Sequence, residues 1–162
     1  MKTLSLKRLQ SLALILVTMV AGLITSGSVN QQIPPVTVYV PATAEWTFTG
    51  LNVQAGQVLL LNARGYACTS SEYGIGSTSD PGGQIEGLGC GLYEDAPPPC
   101  ALDYAPYGML VGKIISTKGE VAFAIGNADS VKMPASGRLF LSINDNLGTY
   151  GDNLGYYLVT IR

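Results

Sequence analysis

Beyond residue 35, apolar positions recur in short runs of alternating or near-continuous hydrophobicity, each closed by Gly, Pro or Asn. This is the pattern of half-buried strands joined by turns, not of amphipathic helices. TVYVP starts at Thr37, once Val36 has left the Pro34-Pro35 pair, and AEWTFTGLNV covers Ala44 to Val53. QVLLLNARGYA, Gln57 to Ala67, follows an Ala55-Gly56 turn signal. After a long gap come Gly108 to Ile115, Val121 to Ile125, Arg138 to Ile143 and Tyr156 to Ile161. Seven or eight strands at this spacing predict an all-β fold, a jelly-roll-like β-sandwich. Trp46, inside the second run, is expected in the core.

Two stretches break the pattern. Cys68 to Tyr107 is about forty residues of Gly, Pro, Ser, Asp and Tyr without period. A loop that long inside a compact domain is usually functional. The other is the N-terminus, where Lys2, Lys7 and Arg8 precede an apolar run from Leu12 to Ile24 broken only by Thr18. Ser26-Gly27-Ser28 then offers small residues for a cut after Ser28. Residues 1–28 are therefore a signal peptide or a hydrophobic anchor helix, with a run near the lower limit for crossing a bilayer. Residues 29–35 are a connector, and residues 36–162 form the sandwich. The expected location is exported: periplasmic, secreted or on the outer surface, with membrane anchoring if the segment is retained.

Composition narrows the partners. Only 12% of the 162 residues are charged. Without the three leader cations, six cations face eleven anions, a net of −5. No basic stripe is left to follow a phosphate backbone, so nucleic acid is not an expected partner. Three cysteines, Cys68, Cys90 and Cys100, lie in the exported part, where disulfides form. Cys90 and Cys100 bracket a Pro-rich loop and are the preferred pair among three possible ones.

Oxygen donors are densest in INDNLGTYGDNLG, Ile143 to Gly155, between two strands. Asp145, Asp152 and Asn153 offer side-chain oxygens, and Thr149 a hydroxyl and a carbonyl. Gly148 and Gly151 allow a tight backbone path. A hard cation such as Ca²⁺ takes six to eight oxygens, and this segment offers four or five. The other reading of such a loop is a hairpin turn rich in turn-forming residues. It is not an EF-hand, because Tyr156 stands where the twelfth-position Glu would be.

The stretch SGRLFLSINDNLGTYGDNLGYYLVTI, Ser136 to Ile161, resembles the C-terminal signature of the bacterial calcium-dependent, galactose-specific lectin family, whose fold is a galactose-binding-domain-like β-sandwich. EWTFTGLNVQAGQVLLLNARGYA, from Glu45, resembles that family's first strands, and GMLVGKI, from Gly108, a middle strand. The resemblance implies that Asp145 is the acidic calcium ligand and that Thr149 ligates through its carbonyl. It places Asp152, where the family usually has Asn, and Asn153 as further ligands, with a carbonyl after the Gly65-Tyr66-Ala67 run, at Thr69, completing the shell. It implies that sugar hydroxyls bind the ion and that Asp145, Thr149 and Asp152 hydrogen-bond the same sugar. The family's His and Gln beside the sugar have no counterpart, since the chain contains no His. Sugar binding also calls for an apolar face, which tyrosine supplies. Of Tyr73, Tyr93, Tyr104, Tyr107 and Tyr150, the expected contacts are Tyr104 and Tyr150.

Catalysis is not expected. Without His there is no Ser-His or Cys-His relay. No nucleophile elbow, P-loop or dinucleotide fingerprint occurs. Glu86, Glu94, Asp95 and Asp103 supply carboxylates for a glycosidase pair, but nothing fixes their geometry. The sequence thus predicts a non-enzymatic, calcium-dependent carbohydrate-binding domain, acting as a homo-oligomer or within a larger surface complex to gain avidity. The alternative is a structural or assembly subunit tethered through residues 1–28.

Overall fold

A computed structural model describes residues 34–70, 78–84 and 99–162. The chain divides into two units, Met1–Gln31 and Gln32–Arg162, and the second contains all the structure described below. The expected leader helix lies outside the described residues. Among those residues no helix is long and apolar enough to cross a membrane.

The described strands are β1 (Val36–Pro41), β2 (Thr47–Val53), β3 (Val58–Cys68), β4 (Thr78–Ser79), β5 (Leu110–Ser116), β6 (Gly119–Ala124), β7 (Ser130–Lys132), β8 (Gly137–Ile143) and β9 (Leu154–Ile161). They form two antiparallel sheets, ordered β1-β9-β3-β4, with β7 also on β3, and β2-β8-β5-β6. The chain is an all-β sandwich, as the alternating runs predict. The boundaries differ slightly. β2 starts at Thr47, β3 runs one residue further to Cys68, and β9 begins at Leu154. β4 lies inside the stretch expected to be irregular, and β7 was not anticipated at all.

The reason for the sandwich is visible strand by strand. In β1, Val38 and Val40 are buried while Thr37 and Tyr39 are exposed. In β9, Tyr157, Val159 and Ile161 point inward on the same period of two. They meet Leu110 and Ile114 of β5 and Leu139, Leu141 and Ile143 of β8 in one apolar cluster. Burying each such side chain contributes about 1.5–3 kcal/mol. Tyr157 is fully buried, and its hydroxyl lies 2.7 Å from the Asp80 carbonyl and 2.8 Å from that of Gly108. That hydroxyl ties the returning chain around β4 to the entrance of β5.

Trp46 is a correction to the sequence reading. It is half-buried just before β2, and Lys113 Nζ sits 4.4 Å from its ring centroid. Lys113 also pairs with Glu120 at 3.0 Å. Beside them, Arg138 lies 4.4 Å over the exposed Phe48 ring. These aromatics cover the outside of the second sheet and carry cations on their faces. The core is aliphatic with one tyrosine.

Candidate functional site

β8 ends at Ile143 and β9 begins at Leu154, so the intervening loop stands at one end of the sandwich. Its first residue, Asn144, is fully buried and works as a bracket. Its Nδ2 donates to the carbonyls of Ala105 (3.0 Å) and Pro106 (3.2 Å), and its Oδ1 accepts from the Leu102 amide (2.8 Å). Farther along, Ala101 N donates to Asp145 O (3.0 Å) and Leu147 N to Pro99 O (2.9 Å). The segment 99–106 is thus tied to the loop by the Asn144 side chain and by two backbone hydrogen bonds.

Asp145 and Asn153, eight residues apart, meet on the inner side of the loop. Asp145 is 3% exposed, and its Oδ1 accepts from the Asn146 amide at 2.8 Å. Asn153, 1% exposed, donates from Nδ2 to Asp145 Oδ2 (2.8 Å) and to the Ala42 carbonyl (3.1 Å). Both protons of this amide are used. Its oxygen is not: among the described residues, Asn153 Oδ1 is buried with no hydrogen-bond partner. Such an orphan costs about 1–3 kcal/mol and asks for an explanation, of which an ion is one. Asp145 carries a related burden. Burial raises its pKa above the ordinary carboxylate value, the hydrogen bonds from Asn153 and Asn146 oppose this, and the charge of Asp152 adds to the rise. A buried carboxylate near a second one and next to an orphaned amide oxygen is electron-rich without a balancing cation.

The remaining expected ligands gather round this pair. Asp152 is exposed at the end of a single 3-10 turn, Tyr150–Asp152, and its charge is felt at Asp145. Thr149 uses both its amide (3.2 Å) and its hydroxyl (2.9 Å) on the Asn146 carbonyl. Its hydroxyl is therefore engaged as a donor, whereas its own carbonyl, among the described residues, receives the long 3.4 Å bond from Asp152 N. Thr69 follows β3 directly. The pairing of β3 with β9 ends with Cys68 on Leu154, one residue short of Thr69 and Asn153. Its hydroxyl accepts from Gln84 Nε2 at 3.3 Å.

The two tyrosines part company. Tyr150 is 4% exposed; its hydroxyl donates to the Ile143 carbonyl at 2.9 Å, and burial raises its pKa to about 12. It plugs the base of the loop, so the expectation that it stacks on sugar is dropped. Tyr104 is the opposite case. It is 74% exposed and, at φ +66°, is the described non-glycine residue with positive φ. A bulky residue held there is strained, and such strain clusters at binding sites. Tyr107 is half-buried, with its hydroxyl 3.2 Å from Asn146 Oδ1. Tyr73, Tyr93 and Cys90 lie outside the described residues, as do Glu86, Glu94 and Asp95. Cys100 Sγ is 3.1 Å from Asn146 Oδ1, and Asp103 Oδ1 accepts the Cys100 amide at 3.0 Å, serving the turn.

Three contributors escaped the sequence reading. Asn144 signalled only as one more turn former. Ala42 acts through its backbone, which has no sequence signature. Glu45 accepts the Gly148 amide at 2.9 Å from 103 residues away.

Among the described residues, no three His, Cys, Asp or Glu side chains group into a metal-holding cluster. The donors here are instead mixed: carboxylates, an amide oxygen and carbonyls. That set fits a hard, oxygen-seeking cation rather than a transition metal. Neither a protein-family profile nor a curated protein matches the chain. Among solved structures, the chain is similar to one described as "EclA N-terminal domain; PllA-like lectin". The two share 24% identity at a TM-score of 0.56, over 78% of this chain and 93% of the other. At that identity the likeness concerns the architecture of the sandwich alone.

Proposed function

We propose that this chain is an exported, non-enzymatic carbohydrate-binding domain whose ligand is held through a Ca²⁺ ion at the 144–153 loop. The observation that carries this reading is the orphaned, buried Asn153 Oδ1 beside the buried Asp145 carboxylate. Asp145, Asn153, Asp152 and the carbonyls of Thr149 and Thr69 would hold the ion. When bound, calcium supplies positions that sugar hydroxyls fill in place of water. The protein's own part is to fix those oxygens in advance: Asn153 is pinned by Ala42 and Asp145, and Thr149 by Asn146. Asp152, exposed, is left to accept from a sugar hydroxyl. The similarity to a PllA-like lectin supports the class of ligand, and the sequence resemblance supports the ion.

Tyr104 supplies the apolar face. Its exposure and its place beside the Asn144 bracket put an aromatic surface on the segment that braces the loop. Tyr104→Ala is expected to weaken glycan binding about tenfold, as loss of a stacked ring does, and to leave calcium affinity unchanged. Glycan and calcium titrations of the two proteins check both halves.

The reading as a whole is tested on the mature domain by calorimetric calcium titration and by a glycan array with and without chelator. Micromolar to millimolar calcium binding, and a glycan signal lost on chelation, are expected. Calcium binding with a silent array favours the second reading, an assembly subunit with a structural ion. One observation supports that alternative. The outer face of the first sheet exposes Tyr39, Tyr66 and Tyr156, with Tyr39 and Tyr156 stacked at 4.9 Å. Cys90–Cys100 pairing belongs to the same proposal, as a clamp on the loop that precedes Tyr104.

A further inference from the structure

The connection between β1 and β2, residues 42–46, reaches the ion loop at its middle and at its far end. Ala42 holds the far end: its amide donates to Gly155 O (3.0 Å), and its carbonyl accepts from Asn153 Nδ2 (3.1 Å). Glu45 holds the middle, its Oε1 accepting from the Gly148 amide (2.9 Å). Glu45 is exposed, and it lies outside the set of ligands assigned above.

The position of this contact matters more than its strength. Gly148 sits at φ +87°, with nothing within 4 Å of where a Cβ would be. It is a flexible pivot in open space, and the next residue is Thr149, whose carbonyl is an expected ligand. On the chain's other side, Thr149 is anchored by its amide and hydroxyl to the Asn146 carbonyl. Among the described residues, the Gly148 amide donates to Glu45. A carboxylate accepting an amide proton is a charge-assisted bond, stronger than a neutral one. It holds the Leu147–Gly148 peptide in place, and with it the chain that enters Thr149.

We propose that Glu45 is a positioning residue for the ion site: its hydrogen bond to the Gly148 amide holds the Leu147–Gly148 peptide, and with it the turn that carries Thr149, before any ion arrives. The inference rests on the calcium reading, yet the restraint itself exists in the ion-free protein and is measurable there. It makes the β1–β2 connection a second support of the loop, in addition to the 99–106 segment. It also separates two jobs a carboxylate can do. Positioning needs an acceptor oxygen, which Gln retains. Direct ligation or attraction of the cation needs the charge, which Gln lacks.

The experiment therefore compares Glu45→Gln and Glu45→Ala in the otherwise intact domain. Two measurements are made: calcium affinity by calorimetry, and hydrogen exchange of the Gly148 amide by NMR without calcium. Positioning predicts that E45Q keeps affinity within about threefold and keeps Gly148 protected. E45A should lose roughly tenfold in affinity, the scale of one hydrogen bond to a charged group, with faster Gly148 exchange. The proposal is overturned if E45A matches the parent in both measurements. It is equally overturned if E45Q loses as much affinity as E45A, which would make the charge the active part. If the parent binds no calcium, the functional reading fails by itself, and Gly148 exchange still decides whether Glu45 restrains the pivot.

Discussion

Asp145→Ala is expected to abolish calcium binding, and with it any glycan binding, while the sandwich stays folded. The substitution removes both oxygens of the carboxylate at the floor of the loop and with them one formal negative charge. Metal affinity collapses because the remaining buried side-chain donor, Asn153 Oδ1, is held in place partly by Asp145 itself through the 2.8 Å bond from Asn153. Stability responds less, because two effects oppose. The Asn146 amide and one Asn153 proton lose their acceptor, costing about 1–3 kcal/mol. Against that, a buried carboxylate held ionised at a disadvantage is gone. The net change in unfolding free energy should stay below about 2 kcal/mol. Calorimetry and a denaturant melt check this, and calcium affinity equal to the parent's would remove Asp145 from the site.

The same carboxylate fixes the sign of the pH dependence. Its pKa in the folded, ion-free protein is raised, chiefly by burial. Its contribution to ion-free stability is fully present below the unfolded value and is lost as pH rises through the folded one. Ion binding runs the other way, because calcium takes the ionised form. Affinity should fall as pH is lowered through the raised pKa, while ordinary surface carboxylates are still ionised. Asp145→Asn should flatten that profile.

How much of this was written in the sequence follows from the range of the forces involved. The long strands were legible because burial on one face imposes a period of two over six or more residues. β4 and β7, at two and three residues, are too short to show any period, and they exist because β3 offers free edges for pairing. The donor cluster Asp145–Asn153 was legible because its members are neighbours in the chain. What they lean on was not. Glu45, Ala42 and Asn144 acquire their roles only when β1, β9 and the 99–106 segment are brought to one end of the sandwich. Tyrosine was ambiguous for a physical reason: a ring with a polar tip suits either a buried plug with one carbonyl partner or an exposed stacking face. Tyr150 is buried with its hydroxyl on the Ile143 carbonyl, and Tyr104 is exposed. Trp46 lies half-buried ahead of β2, with Lys113 over its ring.

Gly155→Ala is expected to cost about 3 kcal/mol or more of stability and to take ion affinity down with it, although residue 155 ligates nothing. Gly155 lies at φ +90°, where any side chain is strained, and an added Cβ would press into the Tyr66 carbonyl on β3 and reach 3.2 Å from that tyrosine's ring. Backbone cannot step aside as a flexible side chain can, so β9 must pull away from β3 at the start of their pairing. That is also where the Gly155 carbonyl receives Ala42 N, and Ala42 is what pins Asn153. The loop ligand is therefore lost through the sheet. Gly148→Ala is the matched control, since its φ of +87° is almost the same but the space around it is open. It should carry only the conformational cost, about 1–2 kcal/mol. The difference between the two melts isolates the close strand approach. Should Gly155→Ala prove no more destabilising than Gly148→Ala, the close packing of β9 on β3 does not set the position of Asn153, and the sheet's part in building the site must be given up.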